Sequence, residues 1–308
     1  IGFCLVGSEM CIRDSLTALQ GDQSLEFLRT VPADKPWCLS VSFKAVHCQD
    51  GAKRQFPPDA RDENMFSGIT IPPAPLSDPA IFQSLHEPLK NSESRRRWEI
   101  RFSPTLYQET VKDYYRLLFG VDREVGRMRE ALRQHGMAEN TVIIFTSDHG
   151  FYLGERGLAG KWFAHEESIR IPLVIHDPRD QRKTTHSLDK LALNIDLAPT
   201  ILSYGGIRAP DQMQGRSLLP LLSGQSKGWR NDFFYEHHFI PTRIPESEAV
   251  RGERWKYIHW LAPKPGIEEL YDLQSDPMER QNLAGMPSHR KRLAEMRTRW
   301  KELREDAR

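Results

Sequence analysis

Hydrophobic positions in residues 104–136 recur at spacings of three and four, the pattern of one face of a helix. They are Tyr107, Val111, Tyr114, Leu118, Val121, Val125, Met128 and Leu132. Ser103 and Pro104 suit the start of this helix, and Gly136 suits its end. The β-branched runs at 141–146 and 171–175 instead predict strands that are covered on both faces. A helix followed by a buried strand favours an α/β sandwich.

Weaker patterns precede this helix. A short β-prone run at 39–43 predicts a buried strand that ends near His47. Residues 50–104 are polar and rich in proline, which indicates a long surface excursion. Within it, Arg95, Arg96 and Arg97 are expected to be a solvated charge run rather than an anion site.

The pattern changes after residue 228. Four short runs there predict strands, with a hairpin turn at Gly252-Glu253: residues 233–239, 249–251, 254–260 and 269–273. A final helix has Leu293, Met296, Trp300 and Leu303 on one face. We therefore expect a small antiparallel sheet with a helix over residues 228–308, appended to an α/β domain over residues 16–227.

Residues 1–15 are excluded from these expectations. They read IGFCLVGSEMCIRDS, which resembles a translated adapter or assembly artefact. A signal peptide would need a basic start and a longer apolar run.

Composition narrows the range of partners. The chain has 308 residues, 43 Lys and Arg, 42 Asp and Glu, and a formal net charge of +1. A chain with no basic excess is not expected to bind nucleic acid or a membrane surface through its overall charge. No apolar run in the sequence approaches the ~18 residues of a membrane span. The four cysteines show no spacing typical of a zinc module.

The chemistry of interest follows the strand at 141–146. Asp148 and His149 come directly after it, at the strand end where open α/β sheets bind ligands. They could hold a divalent cation, and an imidazole ligand fits zinc or manganese better than calcium. The alternative is that residues 147–150 merely end the strand as a turn.

Lys161 is the second candidate. It follows Gly154, Gly157 and Gly160, which let the backbone fold back towards the strand end. There it could neutralise an anionic substrate group, and the neighbouring Trp162 favours a fixed position over an exposed surface lysine.

In combination, these segments resemble the sulfatase family of the alkaline-phosphatase-like superfamily. The resemblance is carried by TSDHG with the glycine-rich turn after it, by GKW, EES and RIPLVI, and by SFKAVH upstream. DLAPTIL, MQGRSLLPLL, ERWKYI and ELYDLQSDPMERQNLA follow in the family's order, so that roughly residues 30–305 are covered. The resemblance implies an alkaline-phosphatase-like α/β/α sandwich with an incomplete central sheet and a small C-terminal antiparallel subdomain.

The resemblance also implies roles for single residues. Asp148 and His149 match two ligands of a metal site that usually holds calcium, with magnesium as the alternative. Lys161 matches a lysine that contacts the substrate sulfate. His47 matches a histidine near the leaving-group oxygen, a candidate general acid.

His237 and His238 in the YEHHF segment are candidates for the substrate entrance, against the alternative of structural histidines on a short strand. Two departures from the family pattern affect the expected pocket shape: Val46 stands where proline is frequent, and His165 where tyrosine is common.

One family feature has no counterpart in this sequence. Sulfatases carry Cys-x-Pro/Ala-x-x-Arg, whose cysteine becomes the formylglycine nucleophile, and none of Cys4, Cys11, Cys38 and Cys48 fits. We therefore expect a C-terminal fragment that is inactive alone. The complete parent would cleave sulfate esters of small molecules or glycans and is expected to be periplasmic or secreted.

Two other functions remain open. A phosphodiesterase or phosphotransferase of the same superfamily would use two zinc ions and a Thr or Ser nucleophile. A non-catalytic pseudoenzyme fragment would retain the fold and a weak anion site.

Overall fold

The computed structural model describes residues 16–32, 34–180 and 186–307. The expected non-native leader at 1–15 lies outside them. Nine α-helices and eight strands occur in this part of the chain. The helices are α1 (Leu16–Thr30), α2 (Pro79–Ser84), α3 (Glu87–Lys90), α4 (Glu93–Arg101), α5 (Tyr107–Gln134), α6 (Glu166–Ile169), α7 (Leu197–Tyr204), α8 (Leu219–Leu222) and α9 (Arg290–Asp306). The strands are β1 (Ile143–Thr146), β2 (Tyr152–Leu153), β3 (Ala159–Gly160), β4 (Leu173–His176), β5 (Asp232–His237), β6 (Ser247–Gly252), β7 (Trp255–Trp260) and β8 (Ile267–Asp272).

The long helix α5 is confirmed, but it begins later than its capping signal indicates. The carbonyl of Ser103 accepts hydrogen bonds from the amides of Leu106 and Tyr107, so residues 103–106 form a turn before the helix. At the other end, Gly136 has a φ of +70° and ends the helix as expected.

Helix α1 packs on α5 and has no strong apolar stripe to predict it. Its buried positions are mostly small: Thr17, Gly21, Ser24 and Leu28. A Cβ on Gly21 would lie 2.1 Å from the Glu124 carboxylate, so the missing side chain permits the close approach of the two helices.

Strands β1 and β4 confirm the two β-branched runs, but the runs are not covered on both faces. The strands pair antiparallel with each other, with Phe145 opposite Val174. Phe145 is 39% exposed and Val174 is 58% exposed. A continuous apolar run therefore does not establish burial on both faces, because burial depends on what packs against the pair.

The expected strand at 39–43 is not a strand. Its side chains alternate between half-buried and exposed, as in a strand, but no strand in the described ranges pairs with this segment. Instead, the side chain of Gln20 bonds the carbonyl of Ser42 and the amide of Lys44. Extended backbone is assigned to a strand only when a partner ladder is present.

Residues 50–104 are not a surface excursion either. They contain helices α2, α3 and α4, and they bury Phe56, Leu89 and Phe102. Phe56 and Phe102 pack with Phe151 near the end of β1. High proline content here marks helix starts and turns rather than an unpacked loop.

The C-terminal sheet has the order β5-β6-β7-β8 with antiparallel pairing throughout, and β6 and β7 form the expected hairpin. Helix α9 packs on it through Leu293, Met296, Trp300 and Leu303. The opposite face joins the rest of the chain, because Trp260 of β7 lies in one core with Tyr152 and Phe163. None of the helices in the described ranges is both long and apolar enough to cross a membrane.

Candidate active site

The turn at 147–150 is held from three sides. The Ser147 hydroxyl donates a hydrogen bond of 2.9 Å to the His149 carbonyl, and the side-chain amide of Asn194 donates one of 2.8 Å to the Asp148 carbonyl. The amide of Gly150 bonds the Ser168 carbonyl at 2.7 Å, which ties the turn to α6. A Cβ on Gly150 would lie 2.3 Å from the Glu167 carbonyl oxygen, so only glycine fits this contact. These bonds fix the backbone and leave the Asp148 side chain 83% exposed.

The two ring nitrogens of His149 have different partners. Nδ1 lies 2.7 Å from the Gly150 carbonyl oxygen, which can only accept, so Nδ1 carries the proton in the neutral ring. Nε2 then has a free lone pair, and the ammonium group of Lys161 lies 2.5 Å from it. The sequence candidates His149 and Lys161 are therefore in direct contact.

The β2–β3 hairpin delivers Lys161 to this position. Gly160, the last residue of β3, has a φ of +94°, and Trp162 has a φ of +95°. The Tyr235 hydroxyl donates a 2.8 Å hydrogen bond to the Trp162 carbonyl, and the Arg97 guanidinium lies 4.8 Å from the centroid of the Trp162 ring. These two contacts hold Trp162 in place. Positive φ on both sides of Lys161 redirects the chain, as the glycine-rich sequence predicts.

Asp148 and His149 present one oxygen and one nitrogen to the same space. Oδ2 of Asp148 lies 3.4 Å from Nε2 of His149. Two ligands at right angles around a calcium ion are about 3.5 Å apart, from metal–ligand distances of about 2.3–2.6 Å. The geometry of this pair is thus compatible with two adjacent positions around one divalent cation.

His47 lies in an irregular, exposed stretch. Its Nδ1 is 2.7 Å from the carbonyl oxygen of Cys48. Among the described contacts it makes none with Asp148, His149 or Lys161. The side chain of Arg97 connects the His47 region to the Lys161 segment. It lies over the ring of Trp162, and its guanidinium is 3.9 Å from the carboxylate of Asp50, which follows His47 by three residues.

His237 and His238 follow each other at the end of β5. His237 shares a face of the strand with Tyr235, whose hydroxyl reaches the segment of Lys161. Burial, with a contribution from His238, lowers the pKa of His237. His238 is exposed and contacts Glu246 at 3.2 Å. With Glu236 and Glu248 it forms the sole group of three potential metal ligands among the residues that the structure describes.

The structure also gives two groups near the site properties that the sequence patterns did not predict. Glu155, in the turn between β2 and β3, has its pKa raised to about 7 by burial, and Glu167 adds to this effect. His165 is fully buried. Its Nδ1 lies 2.8 Å from the Tyr152 hydroxyl oxygen, and its Nε2 lies 3.1 Å from a carboxylate oxygen of Glu269. His165 therefore links Tyr152 of the β2–β3 hairpin to Glu269 of the C-terminal sheet. No sequence signal reveals this, because Glu269 lies 104 residues away along the chain.

Comparisons with known proteins agree with one another. A sulfatase family model matches residues 14–207, and a model described as N-sulphoglucosamine sulphohydrolase, C-terminal, matches residues 154–306. An N-acetylglucosamine-6-O-sulfatase of Bacteroides thetaiotaomicron is 27% identical over 350 residues, covering 94% of this chain and 61% of the relative. The multifunctional alkaline phosphatase superfamily protein PehA of Trinickia caryophylli is 36% identical over 190 residues, covering 57% of this chain and 36% of the relative.

A solved structure shows the fold. It is a protein in complex with its substrate D-glucosamine-2-N,6-O-disulfate, with a TM-score of 0.83 and 24% identity, covering 95% of this chain and 70% of that chain. This confirms the alkaline-phosphatase-like α/β fold with a small C-terminal antiparallel sheet. The chain spans less than two thirds of the length of both curated relatives. Because the family model covers more than half of its residues, the chain belongs to the sulfatase family.

Proposed function

We propose that the protein to which this chain belongs hydrolyses sulfate esters at a site that includes Asp148, His149 and Lys161. The observation that carries the proposal is the convergence of a carboxylate, an imidazole and an ammonium group at the end of β1. Nζ of Lys161 and Oδ2 of Asp148 lie 2.5 Å and 3.4 Å from Nε2 of His149. A mixed set of metal-ligating and cationic groups suits an anionic substrate.

Asp148 and His149 would hold a divalent cation, with calcium as the first candidate and magnesium as the second. The cation would supply positive charge that stabilises the transferring sulfate. The hydrogen bond from Nδ1 to Gly150 supports this role, because it orients the ring and leaves Nε2 free as a ligand.

Lys161 would bind the sulfate oxygens. In the structure its ammonium group uses the lone pair of His149 Nε2. When that lone pair is engaged in metal binding, the three donors of Lys161 are available to the sulfate. Lys161 would then stabilise the charge that develops there during the reaction.

His47 would protonate the departing alcohol. Its Nδ1 is engaged with the Cys48 carbonyl, so Nε2 is the nitrogen available for proton transfer. The nucleophile would be the formylglycine expected in the whole protein, since none of the four cysteines of this sequence lies in the required motif.

The proposed substrate is a sulfated amino sugar or a glycan that contains one. The names of the matching family model and relative, and the ligand in the similar structure, all refer to sulfated glucosamine derivatives. His237 and His238 are proposed to line the entrance, on the basis of the link from β5 to the Lys161 segment. We also propose a periplasmic or secreted location and a boundary between residues 227 and 228.

Binding to the 308-residue chain tests the site. Calcium is titrated by calorimetry, followed by glucosamine 6-sulfate in the presence of calcium. Asp148→Asn should weaken calcium binding about tenfold or more, because a charged ligand is lost. Asp211→Asn is the control, since Asp211 is an equally exposed aspartate outside the site. Equal calcium affinity in the two variants would refute the metal site.

A second function has specific support. The 36% identity to PehA, a member named for the alkaline phosphatase superfamily, favours hydrolysis of a phosphate ester as the alternative. The whole protein, assayed with an aryl sulfate and the matching aryl phosphate, distinguishes them. Faster turnover of the phosphate ester would decide for the alternative.

A further inference from the structure

A cavity of about 590 Å³ lies between the loop after His47 and helix α4. We call it the arginine cleft. Five cationic side chains and two carboxylates, Asp50 and Glu93, line it, for a net charge of +3. The cations are Lys53, Arg96, Arg97, Arg101 and Arg243.

Three of the arginines share one carboxylate. Oε1 of Glu93 accepts bonds from Arg96 Nη2 at 2.5 Å and from Arg97 Nε at 2.9 Å, and its Oε2 lies 3.2 Å from Arg243 Nη2. The bond from Arg96 above all lowers the pKa of Glu93 to about 2. One negative charge balances only one of the three guanidinium charges, so positive charge remains in the cleft.

Arg101 forms a fixed part of the wall. It is 2% exposed, and it bonds Gln55 through Nε and Asp50 through Nη2. Its Nη1 is buried and has no hydrogen-bond partner among the described residues. A cation held out of water without full pairing favours the approach of an anion.

The cleft lies beside the proposed active site. Arg97 packs on the ring of Trp162, the residue after Lys161, at 4.8 Å. Asp50 follows His47 by three residues and lies 3.9 Å from Arg97. A substrate held between Lys161 and His47 would therefore have neighbouring groups near the arginine cleft.

We propose that the arginine cleft binds a second sulfo group of the substrate, on the same sugar as the ester that is cleaved or on its neighbour. The arginines surround one region from different elements, α4 and the loop before β6, which suits a group with three oxygens pointing in different directions. A planar carboxylate, with two oxygens, would bind only one or two of these arginines. This inference rests on the proposed sulfatase function, and it replaces the expectation that Arg96 and Arg97 belong to a merely solvated charge run.

The test compares two probes on the 308-residue chain in calcium. These are glucosamine 6-sulfate and D-glucosamine-2-N,6-O-disulfate, titrated by calorimetry. The disulfate should bind about tenfold or more tightly than the monosulfate. Arg96→Gln with Arg243→Gln should remove this difference and change the monosulfate affinity less than about twofold. Both side chains are more than half exposed, so the fold should be retained. Arg208→Gln, at an exposed arginine outside the cleft, is the matched control.

Lys161→Met separates the two proposals. If it weakens both probes while the double arginine variant leaves their affinity ratio unchanged, the cleft proposal is wrong and the sulfatase site stands. If it weakens neither probe, the sulfatase site is refuted together with the cleft proposal. Equal affinity of the two probes for the unaltered chain also overturns the cleft proposal.

Discussion

His149 has a proton on one ring nitrogen and a lone pair on the other, and neighbouring groups determine which is which. The Gly150 carbonyl engages Nδ1, so Nε2 is left to Lys161 or to a metal ion. The sequence identified the residue by its place after a strand. Only the folded turn shows which nitrogen is available.

We expect His149→Asn to retain calcium binding within about fivefold, because the amide oxygen is a suitable hard ligand. His149→Ala should lose about tenfold or more, since no ligand atom remains. Calcium titration of the two variants measures the difference. Equal losses in both would show that His149 is not a ligand.

We expect Glu155 to make the stability of the fold depend on pH. Its folded-state pKa of about 7 lies above the ordinary value of 4.5, with burial as the main cause. Between these values the folded chain keeps a proton that the unfolded chain has released. The contribution of this group is therefore present below pH 4.5 and is lost as the pH rises through 7.

Glu155→Gln should remove this dependence, because the amide stays neutral and keeps an acceptor for the Leu153 amide. From pH 5 to pH 8, the free energy of unfolding should fall in the native chain by about 2–3 kcal/mol more than it falls in the variant. Urea unfolding at the two pH values provides the measurement, with Glu139→Gln at an exposed site as control. Parallel pH profiles for the native chain and Glu155→Gln would contradict the assignment.

At the scale of elements, the site depends on the contact between the 147–150 turn and α6. Gly150 allows the turn to approach the Glu167 carbonyl within a distance that no Cβ could share. Gly126, in the middle of α5, has nothing near its missing side chain. The two glycines therefore have opposite expected responses to the same substitution.

Gly150→Ala should destabilise the fold by about 2–4 kcal/mol and weaken calcium binding, because the backbone of the turn must move. Gly126→Ala should be neutral or stabilising by up to about 1 kcal/mol through helix propensity. Thermal unfolding and calcium titration of both variants test the pair. Unchanged stability in Gly150→Ala would show that the turn adapts without loss.

Predictability differed among elements for physical reasons. Helix α5 has a strong helical period, and strands β5–β8 are short runs with aromatic and β-branched residues. These elements are confirmed within a few residues. Helix α1 was missed because its interface uses small residues, which carry no apolar signal. Residues 39–43 have the alternation of a strand without a pairing partner.

At the scale of the whole molecule, the core crosses the expected boundary between residues 227 and 228. Tyr152 and Phe163 beside the site share a cluster with Trp260, and the buried His165 contacts Glu269. The C-terminal sheet therefore supports the hairpin that positions Lys161. A change in this sheet is expected to affect the site through packing.

The 308-residue chain is expected to show no metal-dependent turnover of an aryl sulfate. None of its four cysteines is placed for conversion to formylglycine, so the reaction has no nucleophile. A continuous colorimetric assay with the purified chain tests this. Turnover that disappears in Asp148→Ala would show that another group can replace the formylglycine.

The sequence by itself determined the family and the candidates Asp148, His149 and Lys161. These rest on short motifs, and the order of the motifs along the chain can be recognised without any knowledge of tertiary contacts. It also determined the α5 helix through its helical period, and the C-terminal sheet through short strand-forming runs and the turn at Gly252-Glu253. The tertiary structure decided which groups meet: the Lys161–His149 contact, the buried His165–Glu269 pair and the arginine cleft. Each of these joins residues from separate segments, and burial and charge arise only when the fold brings them together.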